Sequence, residues 1–180
     1  YSESMFYTWV LTFTLQRARQ MNYKIWDLDG TVIDSSHRYS TLPNGDIDLP
    51  RWIADNTREN IEQDQLLPLA RLMRSNYRQG DIVIICTARV LGVWDHCFLA
   101  DHGIKAQFIL SRAVGDNRND AEMKRAKLLA LFSDLKIPFA RWTRSATFYD
   151  DNLSVLKMAK SLGIRTRNAT TLNEELRAAQ

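Results

Sequence analysis

The sequence predicts an α/β fold with a mainly parallel central sheet, and three observations carry that expectation. Apolar runs of strand length recur along the chain, among them the uninterrupted Ile82-Val83-Ile84-Ile85-Cys86. A run without alternation suits a strand covered on both faces. Between these runs lie segments with apolar residues at helical spacing, and such alternation calls for parallel strands joined by right-handed crossovers. The length of 180 residues suits one domain, which would bury roughly 68–70% of its unfolded surface without staples.

The elements follow in order. Residues 5–15 alternate Trp9, Leu11, Phe13 and Leu15 with Thr8, Val10, Thr12 and Thr14, a strand pattern. The stretch is too short to span a bilayer and no basic residue precedes it, so neither a transmembrane helix nor a secretory signal is expected. Residues 1–20 are set apart as an N-terminal extension: an upstream translated segment, an added edge strand or a homo-oligomer contact. A single folded domain is expected over 21–180. A short apolar strand ends in Asp27-Leu28-Asp29-Gly30-Thr31. Turn-forming residues then dominate, with Pro43-Asn44-Gly45-Asp46 and Pro50. A helix over Arg51 to Glu62 would complete a small flap spanning 32–62. So small a flap leaves room for a bulky or polymeric substrate.

Asp64 to Gln79 reads as a helix with Asp64 as N-cap, Pro68 in the first turn and Gly80 after the last. Strand Ile82–Cys86 is followed by a helix over Val90 to Asp101, a strand over Gln107 to Leu110 and a helix over Asp120 to Leu135. The chain then continues as a strand over Ala146 to Tyr149, a helix over Leu153 to Leu162, a strand over Ile164 to Arg167 and a terminal helix over Thr171 to Ala179.

Composition narrows the class further. The net charge of +3 is uneven, with 14 Lys/Arg against 9 Asp/Glu in residues 101–180 and 10 against 12 in residues 1–100. A basic half attracts an anionic substrate or a nucleic-acid strand, although a solvated basic face gives the same count. Cys86 and Cys97 read as thiols of a reduced, cytoplasmic protein, and no Cys/His cluster suits zinc.

The chemistry concentrates where strands end. Asp27 and Asp29, two apart at a strand terminus, would project together. One carboxylate can attack phosphorus and bind a cation while its neighbour exchanges the proton of the leaving oxygen. Taken alone, Asp29-Gly30 equally reads as an Asx turn. Thr87 follows the second strand, as many threonines do. Asp150-Asp151 ends a later strand, where two adjacent carboxylates repel unless water or a cation neutralises them, and an acidic helix start explains them as well. Lys124 sits near the start of a helix that Asn119 or Asp120 opens, beside its rivals Arg125 and Lys127.

Together, these four motifs resemble those of the haloacid dehalogenase superfamily of phosphatases, in order and in placement over residues 23–167. The resemblance implies a Rossmann-like three-layer sandwich with a minimal cap. It also implies roles: Asp27 as nucleophile, Asp29 as acid and base, and Thr87 and Lys124 as phosphate-binding and charge-balancing groups. Mg²⁺ would be held by Asp27, the Asp29 backbone carbonyl and Asp150, with Asp151 either as a further ligand or bound through the ligands around it.

A narrower similarity, to the phosphatase domain of phage polynucleotide kinases, rests on Arg38, Arg89 and the string Gly115-Asp116-Asn117-Arg118-Asn119-Asp120. It implies Arg38, Arg89 and Arg118 as substrate-binding residues and removal of a 3′-phosphate from nucleic-acid ends. Two departures stand out: no phosphate loop of a kinase is present, and Asn152 stands where the related phosphatases often have Arg. The alternatives are a nucleotidase or other small-molecule phosphatase, and a non-catalytic binding or assembly protein on the same fold.

Overall fold

The computed structural model describes residues 21–38, 40, 43 and 48–179. The predicted strand over 5–15, and with it the proposed oligomer contact, lies outside the described residues.

Seven strands are present among the described residues: β1 (Tyr23–Trp26), β2 (Ile33–Asp34), β3 (Gln65–Leu66), β4 (Ile82–Cys86), β5 (Phe108–Leu110), β6 (Ala146–Asp150) and β7 (Arg165–Asn168). The helices are α1 (Leu49–Ala54), α2 (Arg58–Ile61), α3 (Leu69–Arg78), α4 (Val93–Asp101), α5 (Asp120–Asp134), α6 (Phe139–Ser145), α7 (Leu153–Ser161) and α8 (Ala169–Ala178). The main sheet has the order β5-β4-β1-β6-β7, with every pair parallel. The predicted α/β class therefore holds.

Strand periodicity divides the core into two layers. Trp26, Val83 and Ile85 face Leu69 and Met73 of α3, Phe98 and Leu99 of α4, and Ala169 of α8. Ile25, Ile84, Cys86 and Phe148 face Leu128 and Phe132 of α5, Trp142 of α6, and Val155 and Ala159 of α7. The chain leaves the central β1 toward β4 on one side and returns to β6 on the other. In open α/β sheets the crevice at such a switch, beyond the carboxyl ends of the strands, is where ligands bind.

Local chemistry corrects several predicted boundaries. The single helix expected over 51–62 is two short helices. Thr57 accepts a hydrogen bond from the Asn60 backbone N–H and starts α2 anew, while the Asn56 side chain turns inward to Asp95 and Val90. Asp64 does not cap a helix. Its carboxylate pairs with Arg38 at 2.9 Å, residues 65–66 form β3, and α3 begins only after Pro68. The antiparallel pairs Ile33↔Leu66 and Asp34↔Gln65 join the two ends of the insertion 35–64 to the main body. Helix α6 was not anticipated; its Trp142 stacks on Phe132 with ring centroids 4.0 Å apart.

Candidate active site

Parallel pairing brings the predicted catalytic residues to one edge. The Asp27 backbone N–H donates to the Tyr149 carbonyl at 3.0 Å, which extends the β1–β6 ladder by one residue and sets Asp27 beside Asp150. From α5, which covers the face carrying Ile25 and Phe148, Lys124 reaches between them. Its Nζ lies 2.9 Å from Asp27 Oδ1 and 2.7 Å from Asp150 Oδ2, with all three residues buried. Asn119 places this lysine by capping α5 through the Glu122 backbone N–H at 3.0 Å. Thr87, fully buried, continues β4; its Oγ1 accepts from the Arg89 backbone N–H at 3.2 Å, which leaves the hydroxyl proton free to donate.

The electrostatics follow from burial and crowding. Burial raises the Asp27 carboxyl to about 7, assisted by Asp150 and Asp29 and opposed by Lys124. Asp151, partly exposed, is raised to about 6 by burial and by Asp27. Burial alone would depress Lys124, yet Asp27 and Asp150 hold it well above its ordinary value. Oxygens of Asp27, Asp150 and Asp151 lie within 4.8 Å of one another. Three hard oxygen donors whose like charge the single Lys124 ammonium offsets only in part fit a small divalent cation such as magnesium. The Asp29 carboxylate stands outside this trio. Gly30, at φ +69°, admits Asp151 to the group: a methyl at residue 30 would collide with the Asp151 carboxylate.

Asp29 is held instead by Arg89 and Ser35. Arg89 Nε donates to Asp29 Oδ2 at 3.1 Å, Nη2 donates to Oδ1, and Ser35 Oγ donates to Oδ1 at 2.5 Å. Burial would raise this carboxyl; the Arg89 charge and hydrogen bonds outweigh it and hold Asp29 below its ordinary value. Two of the three arginines expected to bind substrate point inward. Arg38 pairs with Asp64, and Arg89 donates to Asp29, Asp64 and Asp95. Arg118 is exposed and pairs with its neighbour Asp116 at 2.6 Å. Asn152 caps α7 through the Ser154 backbone N–H at 2.9 Å, and its own N–H donates to Asp150 Oδ1.

Sequence reasoning missed Arg112 and Asp95. Arg112 is 5% exposed and ties three segments together. Its Nε donates to the Ala88 carbonyl, Nη1 to the Asp116 and Arg118 carbonyls, and Nη2 to Asp120 Oδ1 at 2.6 Å. Its signal was available, since Ser111-Arg112 follows β5 as Thr87 follows β4. Asp95 is buried at the third position of α4, where it caps the Gly92 backbone N–H and accepts from Arg89. No helix among the described residues is long and apolar enough to cross a membrane.

Comparisons with known proteins give the chain's family and fold. The chain is 30% identical over 172 residues to the 5′-deoxynucleotidase of Escherichia phage T5, an alignment covering 84% of this chain and 68% of that protein. A haloacid dehalogenase-like hydrolase from Streptococcus pneumoniae shares the fold at TM-score 0.61 and 12% identity, over 89% of this chain and 99% of that one. A chain of the Pnkp1/Rnl/Hen1 RNA repair complex shares it at TM-score 0.58 and 23% identity, over 82% of this chain; the match spans only 42% of the longer chain. The sequence profile of the bacteriophage T5 5′-deoxynucleotidase family matches residues 15–180. The chain thus belongs to the bacteriophage T5 5′-deoxynucleotidase family and shares its fold with haloacid dehalogenase-like hydrolases.

Proposed function

We propose that this chain hydrolyses deoxynucleoside 5′-monophosphates in a magnesium-dependent reaction through an aspartyl-phosphate on Asp27. An Asp27 carboxylate oxygen attacks phosphorus, the bond from phosphorus to the 5′-oxygen breaks, and Asp29, which takes up a proton before this step although Arg89 favours its carboxylate form, gives that proton to the 5′-oxygen as the nucleoside leaves. Water then attacks phosphorus while Asp29 takes its proton, and the acyl phosphate bond breaks to release inorganic phosphate. Positioned proton transfer of this kind is worth about 10²–10⁴ in rate. Lys124 and the Thr87 hydroxyl would bind the phosphoryl oxygens as charge shifts onto them. A magnesium ion held by Asp27, Asp150 and Asp151, with the Asp29 carbonyl as a further ligand, would supply Lewis-acid stabilisation of the phosphoryl group.

The observation that carries the substrate is the 30% identity to the phage 5′-deoxynucleotidase. The arginines support it, because the 3′-end reading rests on Arg38, Arg89 and Arg118, and Arg38 and Arg89 spend their guanidinium donors on buried carboxylates and on Asn56. Among the described residues, the cleft lined by Asp34, Ser36, His37, Glu62, Gln63, Asp64 and Gln65 contains no Lys or Arg. It flanks Ser35, which hydrogen-bonds Asp29, and its carboxylates repel further backbone phosphates while tolerating a single nucleoside.

The decisive comparison sets deoxynucleoside 5′-monophosphates against 3′-phosphorylated oligonucleotides at several salt concentrations, with Mg²⁺ or EDTA. The mononucleotides are expected to show the higher kcat/KM and a shallow salt dependence. Preference for the oligonucleotide, with a slope of roughly 0.7 log units per tenfold salt for each phosphate neutralised, would overturn the nucleotidase reading in favour of end processing.

A further inference from the structure

Five side chains form a closed ring of hydrogen bonds above the acid. Arg38 Nε and Nη2 donate to the two oxygens of Asp64, both at 2.9 Å. Arg89 Nη1 and Nη2 donate to Asp64 Oδ2 at 3.2 Å, and Nη1 also donates to Asp95 Oδ1 at 2.7 Å. Asn56 Nδ2 donates to Asp95 Oδ2 at 3.0 Å, and Asn56 Oδ1 accepts from Arg38 Nη1 at 3.1 Å, which completes the circuit. The Trp52 ring covers the Arg38 guanidinium at 4.3 Å. Arg38, Asp64, Arg89 and Asp95 are all at most 5% exposed.

Through Arg89 the ring reaches Asp29; elsewhere Asn56 Nδ2 donates to the Val90 carbonyl, Asp95 Oδ2 accepts from the Gly92 backbone N–H and His37 lies 3.7 Å from Asp64. Three of its members, Arg38, Asn56 and Asp64, belong to the insertion 35–64, and the other two precede or begin α4. A guanidinium presents its donors in a rigid planar fork, so the acceptors on its far side fix the plane in which it meets a carboxylate. Asp64, shared by both arginines, is the acceptor through which the insertion can set that plane. Neither Asp64 nor Asn56 belongs to the Asp27, Asp150 and Asp151 trio.

We propose that Asp64 and Asn56 are positioning residues for the proton-transfer step. Through Arg89 they hold the Asp29 carboxylate where it exchanges its proton with the leaving oxygen, so the insertion acts on departure of the leaving group. This rests on Asp29 serving as the acid in the reaction proposed above. A merely structural role for the ring would lower turnover of every phosphomonoester alike, whereas a positioning role discriminates by leaving group. An alkoxide needs the proton; p-nitrophenolate does not.

The test measures kcat on a deoxynucleoside 5′-monophosphate and on p-nitrophenyl phosphate for the full chain carrying Asp64→Asn, Asn56→Ala or Asp29→Asn, with folding followed by circular dichroism. Asp64→Asn is expected to lower the nucleotide-to-aryl ratio of kcat at least about tenfold, a share of the acid's about 10²–10⁴. Asn56→Ala should shift the ratio the same way and less. If Asp29→Asn shows the selective loss while Asp64→Asn and Asn56→Ala lose both substrates equally, the positioning role is overturned and the acid assignment stands. If Asp29→Asn itself loses both equally, the acid assignment fails and the proposal falls with it. Should Asp64→Asn fail to fold, Asn56→Ala decides: an unshifted ratio overturns the proposal.

Discussion

Lys124 and Asp27 form a buried pair whose members predict opposite responses to neutralisation. Removing Lys124 leaves Asp27 and Asp150 facing each other in a dry site, and an uncompensated buried charge costs about 3–5 kcal/mol. Lys124→Met is therefore expected to unfold at distinctly lower denaturant concentration and to lose turnover. Asp27→Asn removes a charge that burial already disfavours, as its elevation to about 7 shows. Its turnover should fall to background while its denaturation midpoint stays equal to or above that of the parent. Full activity in Asp27→Asn, or destabilisation matching that of Lys124→Met, would contradict the roles given to the pair. Gly30 belongs at this scale too. Gly30→Ala should displace the Asp151 carboxylate and weaken the apparent Mg²⁺ requirement curve, read as a higher Mg²⁺ concentration for half-maximal rate.

At the scale of elements, the catalytic edge is held by loops that parallel strands leave behind, and Arg112 ties two of them to the start of α5. Its donors reach the carbonyl beside Thr87, two carbonyls of the 116–118 turn and the first residue of α5. Replacing it with methionine strands buried acceptors, at about 1–3 kcal/mol for each group left unpaired. Arg112→Met is expected to lose roughly 3 kcal/mol of stability by denaturant titration and to lower kcat more than KM, since Lys124 is displaced from the phosphoryl site. Unchanged kcat in a folded Arg112→Met protein would show that the staple serves stability alone. The helices also show where local pattern stops being informative. The break between α1 and α2 depends on Asn56 turning inward to Asp95, a residue 39 positions away. Helix α6 depends on a stacking partner, Phe132, on another helix.

At the scale of the whole molecule, the acidic edge couples stability to pH and metal. Asp27 at about 7 and Asp151 at about 6 lie above their unfolded value of 3.8. Over that window the native state binds more protons than the unfolded chain, so their contribution to stability is present below about pH 4 and is lost as pH rises toward 7. Metal competes with those protons and is held best when they are gone. Added Mg²⁺ is accordingly expected to raise the melting temperature more at pH 8 than at pH 5, and an equal shift at both would count against the carboxylate trio as the site. The amino-acid sequence by itself determined the α/β class, the five parallel strands and the identity of Asp27, Asp29, Thr87, Lys124, Asp150 and Asp151 as candidates. The aspartates and Thr87 lie at or just beyond apolar runs, and Lys124 stands in the first turns of a helix, where the resemblance to a known motif set singled it out from Arg125 and Lys127. Only the tertiary structure decided what the arginines do. A guanidinium binds whichever oxygens surround it: Arg89 meets Asp95 only six residues on, but Arg38 and Arg89 meet Asp64 across 26 and 25 residues, separations that no local spacing encodes.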